Sequence, residues 1–219
     1  MFVTRRMRKN VLTVAPTATL QEARRKMGEH NVRQLPVTGE DNKLVGILSD
    51  RDIREAMLPF RLLPASSEKD QEEILANTPV EKLMTRKVHT ASVTDSLEDA
   101  VVVLHDFRVN ALPVVDDEGR VAGIITRTDV LKAFIEALGV GEISSRLGIV
   151  VPDVPGALAG IVTIIKTFHV NITSVLSARH TEPNQRVVFF RIATLNLEPI
   201  RKAIREAGYQ ILDPEDVQA

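Results

Sequence analysis

The chain has 219 residues but no cysteine, no tryptophan and one tyrosine, and aromatic residues make up only 4% of it. Without cysteine there is no disulfide, no thiol nucleophile and no thiolate metal site. With so few rings, the core must rest on Val, Ile, Leu and Ala. No stretch approaches the ~18 uninterrupted apolar residues of a membrane span. The opening "MFVTRR" reaches charge at once and has no apolar run of the secretory kind. We therefore expect a cytoplasmic protein with no membrane association. Charge of one sign is also missing: 28 Lys and Arg stand against 29 Asp and Glu. The broad basic field that a nucleic-acid partner requires is absent, and only Arg5, Arg6, Arg8 and Lys9 form a local basic run. His30, His89, His105, His169 and His180 show no HxH or HxxxH spacing, so no metal site is expected. The GxSxG, GxGxxG and P-loop patterns are absent as well.

What is present is a repeat. "MRKNVLTVAPTATLQEARRKMGEHNVRQLPV…KLVGILSDRDI" begins at Met7, and "MTRKVHTASVTDSLEDAVVVLHDFRVNALPV…RVAGIITRTDV" begins at Met84. The offset is 77 residues and holds without a gap. Met7/Met84, Pro36/Pro113, Gly46/Gly123 and Asp52/Asp129 are among the identical pairs. An internal period of this kind decides the architecture before any single motif does.

Each copy reads alike. Thr19 and Glu22 have capping-box spacing, and Ser96 and Asp99 look like a weaker version of it. Leu20, Ala23 and Met27, then Leu97, Ala100, Val101 and Leu104, recur with helical period on one face. Strands follow at Leu35–Thr38 and Leu112–Val115. Second strands, Leu44–Leu48 and Val121–Ile125, are apolar almost throughout and expected to be buried on both faces. "SDRD" and "TRTD" then open a second helix. Between the copies, Pro59, Pro64, Ser66–Ser67 and "EKDQEE" predict a helix end, a mobile turn and a short helix near Gln71–Ala76.

From Ser145 the pattern changes. Arg146–Val151 reads as a strand, and "PDVPG" as a turn. Leu158, Ile161, Val162 and Ile165 form a helical stripe. Asn171–Ala178 and Arg186–Ala193 read as strands, Leu197–Ala207 as a helix and Gln210–Leu212 as a last strand. This β-α-β-β-α-β order is the ferredoxin-like split motif.

The paired "LPV…GI…(S/T)xxD" copies resemble the CBS motif family, and the tail, with "DVPGAL" and "VNI", resembles an ACT domain. Their order resembles the acetoin-utilisation AcuB-type proteins. The expected fold is α+β: a CBS pair with pseudo-two-fold symmetry followed by a ferredoxin-like ACT domain. The expected divisions are 1–77 for the first motif with its linker, 78–138 for the second and 145–214 for the ACT-like part. The resemblance implies a regulatory protein rather than an enzyme, with no catalytic cofactor, a homodimeric state and an unidentified regulated partner. A structural dimerisation adaptor with vestigial sites is the alternative.

Helix starts at Ser49–Asp52 and Thr126–Asp129 can be explained by capping alone. The same geometry also offers free N–H groups to a phosphate and an acid to ribose hydroxyls. The CBS resemblance assigns Asp52 and Asp129 to the ribose of an adenine nucleotide (AMP, ADP or ATP-like) and Ser49 and Thr126 to its phosphate side. It places Thr13 and Thr90 near the base or ribose, with Val32, Ile47, Val109 and Ile124 as slot walls. Arg33 and Asn110 occupy equivalent positions, so the two sites should differ in charge. Arg8, Arg51, Arg86 and Arg127 are further phosphate candidates. In the tail, the ACT resemblance assigns Asp153, Gly156 and, from a partner chain, Asn171 to a small amino acid.

Overall fold

A computed structural model describes residues 1–62 and 68–212. Pro64, Ser66, Ser67 and Pro214 lie outside the described residues. Helix α1 (Leu20–Glu29) is followed by strands β1 (Gln34–Thr38) and β2 (Leu44–Ser49), then helices α2 (Asp50–Leu62) and α3 (Glu68–Asn77). The second copy adds the short β3 (Ala91–Ser92), α4 (Leu97–Asp106), β4 (Ala111–Val115), β5 (Val121–Thr126) and α5 (Arg127–Ala137). The tail consists of β6 (Ser145–Pro152), α6 (Ala157–Thr167), β7 (Ile172–Arg179), β8 (Gln185–Ile192), α7 (Glu198–Glu206) and β9 (Gln210–Leu212). The chain divides into two units, Met1–Leu131 and Lys132–Ala219.

In the first unit the repeat is reproduced pair by pair. Gln34↔Ser49, Leu35↔Leu48, Pro36↔Ile47 and Val37↔Gly46 in one antiparallel hairpin match Ala111↔Thr126, Leu112↔Ile125, Pro113↔Ile124 and Val114↔Gly123 in the other. A bulge follows Val37 in the first and Val114 in the second. Left-handed residues coincide too: Asn31 matches Arg108, and Asn42 matches Gly119.

The halves are joined by exchanged arms. Arg8 pairs its backbone with Ile124 of the second hairpin, and its equivalent Thr85 pairs with Ile47 of the first. Upstream, Val3 N–H donates to Asp95 and Val80 N–H to Ala18. The same exchange explains the two identical glycines. A Cβ on Gly46 would lie 2.5 Å from Met84 Sδ, and one on Gly123 would collide with Met7 Sδ.

One expectation changes here. The strands β2 and β5 are not buried on both faces. Leu48 and Ile125 are fully buried, whereas Ile47 and Ile124 are only half-buried, because the helices cover one side of each hairpin. Between the copies the expected helix end and short helix are both present, and the expected turn lies outside the described residues. Helix α2 continues through Pro59 to Leu62, and α3 buries Leu75 in the core of the first copy.

Helix α1 is capped by Thr19, whose side chain accepts from Glu22 N–H. The Ser96 cap of α4, expected to be the weaker, has both reciprocal bonds. Asp is one methylene shorter than Glu, yet its Oδ2 reaches Ser96 N–H at 3.2 Å and Ser96 Oγ at 2.6 Å. Those bonds, the side-chain one first, hold the Asp99 carboxyl below the usual carboxylate range. The stabilisation is therefore present above the unfolded carboxylate pKa and is lost as pH falls through the lowered folded value. Ser96→Ala is expected to cost about 1 kcal/mol at neutral pH, measured by urea denaturation. The difference from wild type should shrink in acid; a pH-independent difference would argue against the reciprocal bond.

The tail forms an antiparallel sheet in the order β7-β8-β6-β9. With the two helices this is the ferredoxin-like βαββαβ fold, as expected. One face of the sheet packs Leu147, Ile149, Val188 and Phe190 against Ile161 and Ile165 of α6 and Ile200 and Ile204 of α7. The predicted stripe on α6 is only half right. Ile161 and Ile165 are buried, but Leu158 and Val162 are about 40% exposed because the helix is rolled so that Ala157, Ile164 and Phe168 pack instead.

Candidate functional site

At the end of each hairpin the chain passes from a strand into a helix through a hydroxyl residue and an acid. Ser49 Oγ donates to Asp52 Oδ2 at 2.6 Å, Ser49 N–H donates to the same oxygen at 2.8 Å, and Asp52 N–H donates back to Ser49 Oγ at 3.2 Å. Thr126 and Asp129 repeat the arrangement at 2.6, 3.0 and 3.2 Å. Both motifs are therefore complete helix caps. Capping occupies Oδ2 in each case and leaves Oδ1. Both hydroxyl protons point at the acid, so Ser49 and Thr126 have none left to donate elsewhere.

Strand register decides which other residues accompany each acid. Val14 pairs in parallel with Val37, which sets Thr13 beside Pro36. Pro36 faces Ile47, and Ile47 pairs with Thr85 of the other copy. Thr13, Pro36, Ile47 and Thr85 thus form one row across the strands, next to Ser49. The equivalent row is Thr90, Pro113, Ile124 and Arg8, next to Thr126. Arg33 and Asn110 stand at the mouth of each helix, where their carbonyls accept from Asp50 N–H and Arg127 N–H. Val32 and Val109 precede them and are half-buried. Half-burial of Ile47, Ile124, Val32 and Val109 leaves apolar surface beside each acid, which complete core residues would not.

The cations are distributed unequally. Arg8 reaches from the exchanged arm to Asp129 Oδ1 at 3.4 Å. Thr85, its equivalent at Asp52, carries no charge, and among the described residues Asp52 Oδ1 accepts no hydrogen bond. Arg127 donates from Nε to Val109 O at 2.8 Å and from Nη2 to Leu104 O at 3.0 Å, which ties it to the preceding helix end. Arg51 pairs with Glu55 and Arg86 with Glu81. Among the described residues Arg33 has no such partner. The sequence did not single out Thr85, nor the Arg8–Asp129 pair. Both follow from the arm exchange, which a repeat alone does not disclose.

The chain matches the CBS domain family over residues 3–59 and 80–136, again 77 apart. It belongs to the CBS-domain family. Residues 145–208 match the ACT domain family. A CBS domain-containing protein of Dictyostelium discoideum is 33% identical over 60% of this chain and 90% of its own length. An uncharacterised protein of Methanocaldococcus jannaschii is 31% identical over 62% of this chain, and an inosine-5'-monophosphate dehydrogenase of that organism is 36% identical over 57%. The matched region spans about half of the former and about a fifth of the latter (49% and 22%). Among solved structures, the CBS domain pair of protein MJ0100 in complex with 5'-methylthioadenosine and S-adenosyl-L-methionine is 28% identical over 61% of this chain and 95% of that one, with a TM-score of 0.51. CBSX2 in complex with AMP is 30% identical over 62% and 96%, with a TM-score of 0.50.

In the ACT domain the predicted amino-acid residues do not meet within one chain. Asp153 and Gly156 follow the C-terminal end of β6, with Asp153 paired to Arg186. Asn171 precedes β7, and its carbonyl accepts from Ala193 N–H. Since β6 and β7 both pair antiparallel with β8, they run in the same direction. Asn171 therefore lies a strand length from Asp153, roughly 25 Å at ~3.3 Å per residue. That site would need a second chain, as the resemblance implied. Gly156 has φ of 84°, a left-handed turn that favours glycine. Among the described residues no helix is long and apolar enough to cross a membrane.

Proposed function

We propose that this protein is a ligand-sensing regulator rather than an enzyme, and that its CBS pair binds an adenine nucleotide. The observation that carries this reading is Asp52. Its carboxylate is fixed by the cap through Oδ2, while Oδ1 stays without a partner beside half-buried apolar side chains. A fixed acceptor next to an apolar slot suits vicinal ribose hydroxyls and a flat base. AMP, 5'-methylthioadenosine and S-adenosyl-L-methionine in the solved relatives support adenosine as the common element. Arg33 supplies charge for a phosphate at this first site.

The roles follow the two rows. Asp52 and Asp129 take the ribose, and the base lies between Thr13, Val32 and Ile47 or between Thr90, Val109 and Ile124. We take the module limits as 1–77, 78–138 and 145–214, and the order of modules as AcuB-like, with the acetoin link resting on that resemblance alone. Cytoplasmic placement and a small amino acid held by Asp153, Gly156 and a partner's Asn171 complete the reading. We also propose a homodimer. In the first copy the helix surface carries the ion pairs Arg25–Glu29 and Arg54–Asp50, whereas the equivalent surface of the second carries the exposed Val102 and Leu131. Covering such an apolar face favours association. Light scattering should give twice the 24.2 kDa chain mass; a monomer at all concentrations would refute the dimer.

The deciding experiment is titration calorimetry and thermal shift with AMP, ADP, ATP, S-adenosylmethionine and 5'-methylthioadenosine. Binding by at least one supports the sensor. No binding at millimolar concentration would leave the adaptor reading, which the complete caps at Ser49 and Thr126 favour because they alone explain those residues.

The two sites should differ. At the second, a ribose must take Asp129 Oδ1 from Arg8. That pair is largely exposed on the Arg side and is worth at most about 1 kcal/mol. Arg8→Thr, which copies Thr85, is expected to tighten 5'-methylthioadenosine binding at the second site by no more than about fivefold. Weaker binding of this uncharged-tailed ligand in Arg8→Thr would show that Arg8 contacts ligand rather than shielding the acid.

A further inference from the structure

The sheet of the ACT domain has one face covered by α6 and α7 and another that they leave uncovered. On the uncovered face lies a cavity of about 190 Å³. Its walls are Leu138 and Val140, from the segment before β6, with Leu176 of β7 and Phe189 of β8. Arg146 of β6 and Arg191 of β8 also line it, and they are direct partners across the sheet. Arg146 Cζ lies over the Phe189 ring, 4.1 Å from its centroid. The ring attracts the cation, and among the described residues the guanidinium N–H groups of Arg146 make no hydrogen bond. Arg191 donates from Nη1 to Ser144 Oγ at 3.2 Å, a neutral partner that leaves its charge uncompensated. Among the described residues neither guanidinium pairs with a carboxylate, and no acid lines the cavity. Ser174 is not free to act as a donor to ligand, because its hydroxyl donates to Leu138 O at 2.9 Å.

We propose that this cavity is a binding site for a small organic carboxylate with a short apolar tail and no ammonium group. Two adjacent guanidiniums match the paired oxygens of a carboxylate. Leu138, Val140, Leu176 and Phe189 receive the tail. At interior packing density the volume holds roughly seven to nine non-hydrogen atoms. An α-amino group would meet two cations and no acid, so the site selects against amino acids. It is separate from the Asp153–Gly156 turn and independent of nucleotide binding.

The test is titration calorimetry on the full chain with 3-methylbutanoate, its neutral isostere 3-methylbutanamide, and leucine. The carboxylate is expected to bind at least tenfold more tightly than either of the others. Arg191→Met and Arg146→Met should each weaken it by tenfold or more. Leu176→Trp, at a position that is 46% exposed and so tolerant of size, should block the cavity and abolish binding while circular dichroism and melting stay near wild type. Equal binding of acid and amide, no binding of the acid at about 10 mM, or unchanged binding in Leu176→Trp would each overturn the proposal.

Discussion

Asp52→Asn is expected to weaken adenine-nucleotide binding at the first site by about ten- to a hundredfold while leaving the fold almost untouched. A ribose hydroxyl pair that loses its ionic acceptor loses about 1–3 kcal/mol. The substitution is chosen because the carboxylate does two things. Oδ2 accepts from Ser49 N–H and Oγ in the cap, and Oδ1 is the proposed ribose acceptor. Asn keeps one acceptor oxygen for the cap and replaces the other with a donor. Asp52→Ala removes both, so it should lose stability as well as affinity. Ser49→Ala removes part of the cap, costing about 1 kcal/mol, and leaves the ribose acceptor in place. Calorimetry and denaturation of the three variants separate the roles. If Asp52→Asn and Asp129→Asn both bind like wild type, the acids are caps and nothing more.

Gly46→Val should destabilise the first unit by about 1–3 kcal/mol, the usual range for overpacking. The new side chain meets Met84 Sδ and Cγ at 2.5 and 3.0 Å, and Thr85 O at 3.2 Å. The methionine can move, but Thr85 O belongs to the exchanged arm, which is bonded to Ile47 in both directions. Gly123→Val meets Met7 and Arg8 O in the same way. The two hairpins pair with each other through Lys43 and Arg120, so the two losses are expected to couple rather than simply add. The double variant should still lose more than either single one, a large share of the ~5–15 kcal/mol that holds a typical domain. Thermal unfolding measures this directly. A Gly123→Val chain as stable as wild type would mean that the arm is not seated on β5.

The hairpins and their turns were legible because the apolar period and the turn residues agree in two copies. Capping at Thr19, Ser96, Ser49 and Thr126 was legible for the same reason. The arm exchange was not. Identical pairs such as Met7/Met84 and Gly46/Gly123 show that positions are equivalent, but not that each methionine rests on the other copy's glycine. Since Arg8 and Thr85 lie on those arms, the charge difference beside Asp129 was hidden too. Arg127 looked like a phosphate ligand because of its place in "TRTD", yet its guanidinium is spent on the carbonyls of Leu104 and Val109. On α6, period alone could not say how the helix is rolled, so Leu158 and Val162 were counted with Ile161 and Ile165. The cavity beside Arg146 and Arg191 depends on cross-strand register, which no local pattern reveals.

Arm exchange also bears on ancestry and on synthesis. A lone 77-residue copy would carry an arm with nothing to cover and a hairpin edge left bare, yet two such copies could trade arms and close as a symmetric pair. Duplication in tandem keeps that arrangement and replaces an encounter between molecules by one within a chain, at an effective concentration in the millimolar range. On the ribosome the consequence runs the other way. Arg8 cannot dock until Ile124 has been made, so this arm leaves the ribosome well before the strand that will seat it.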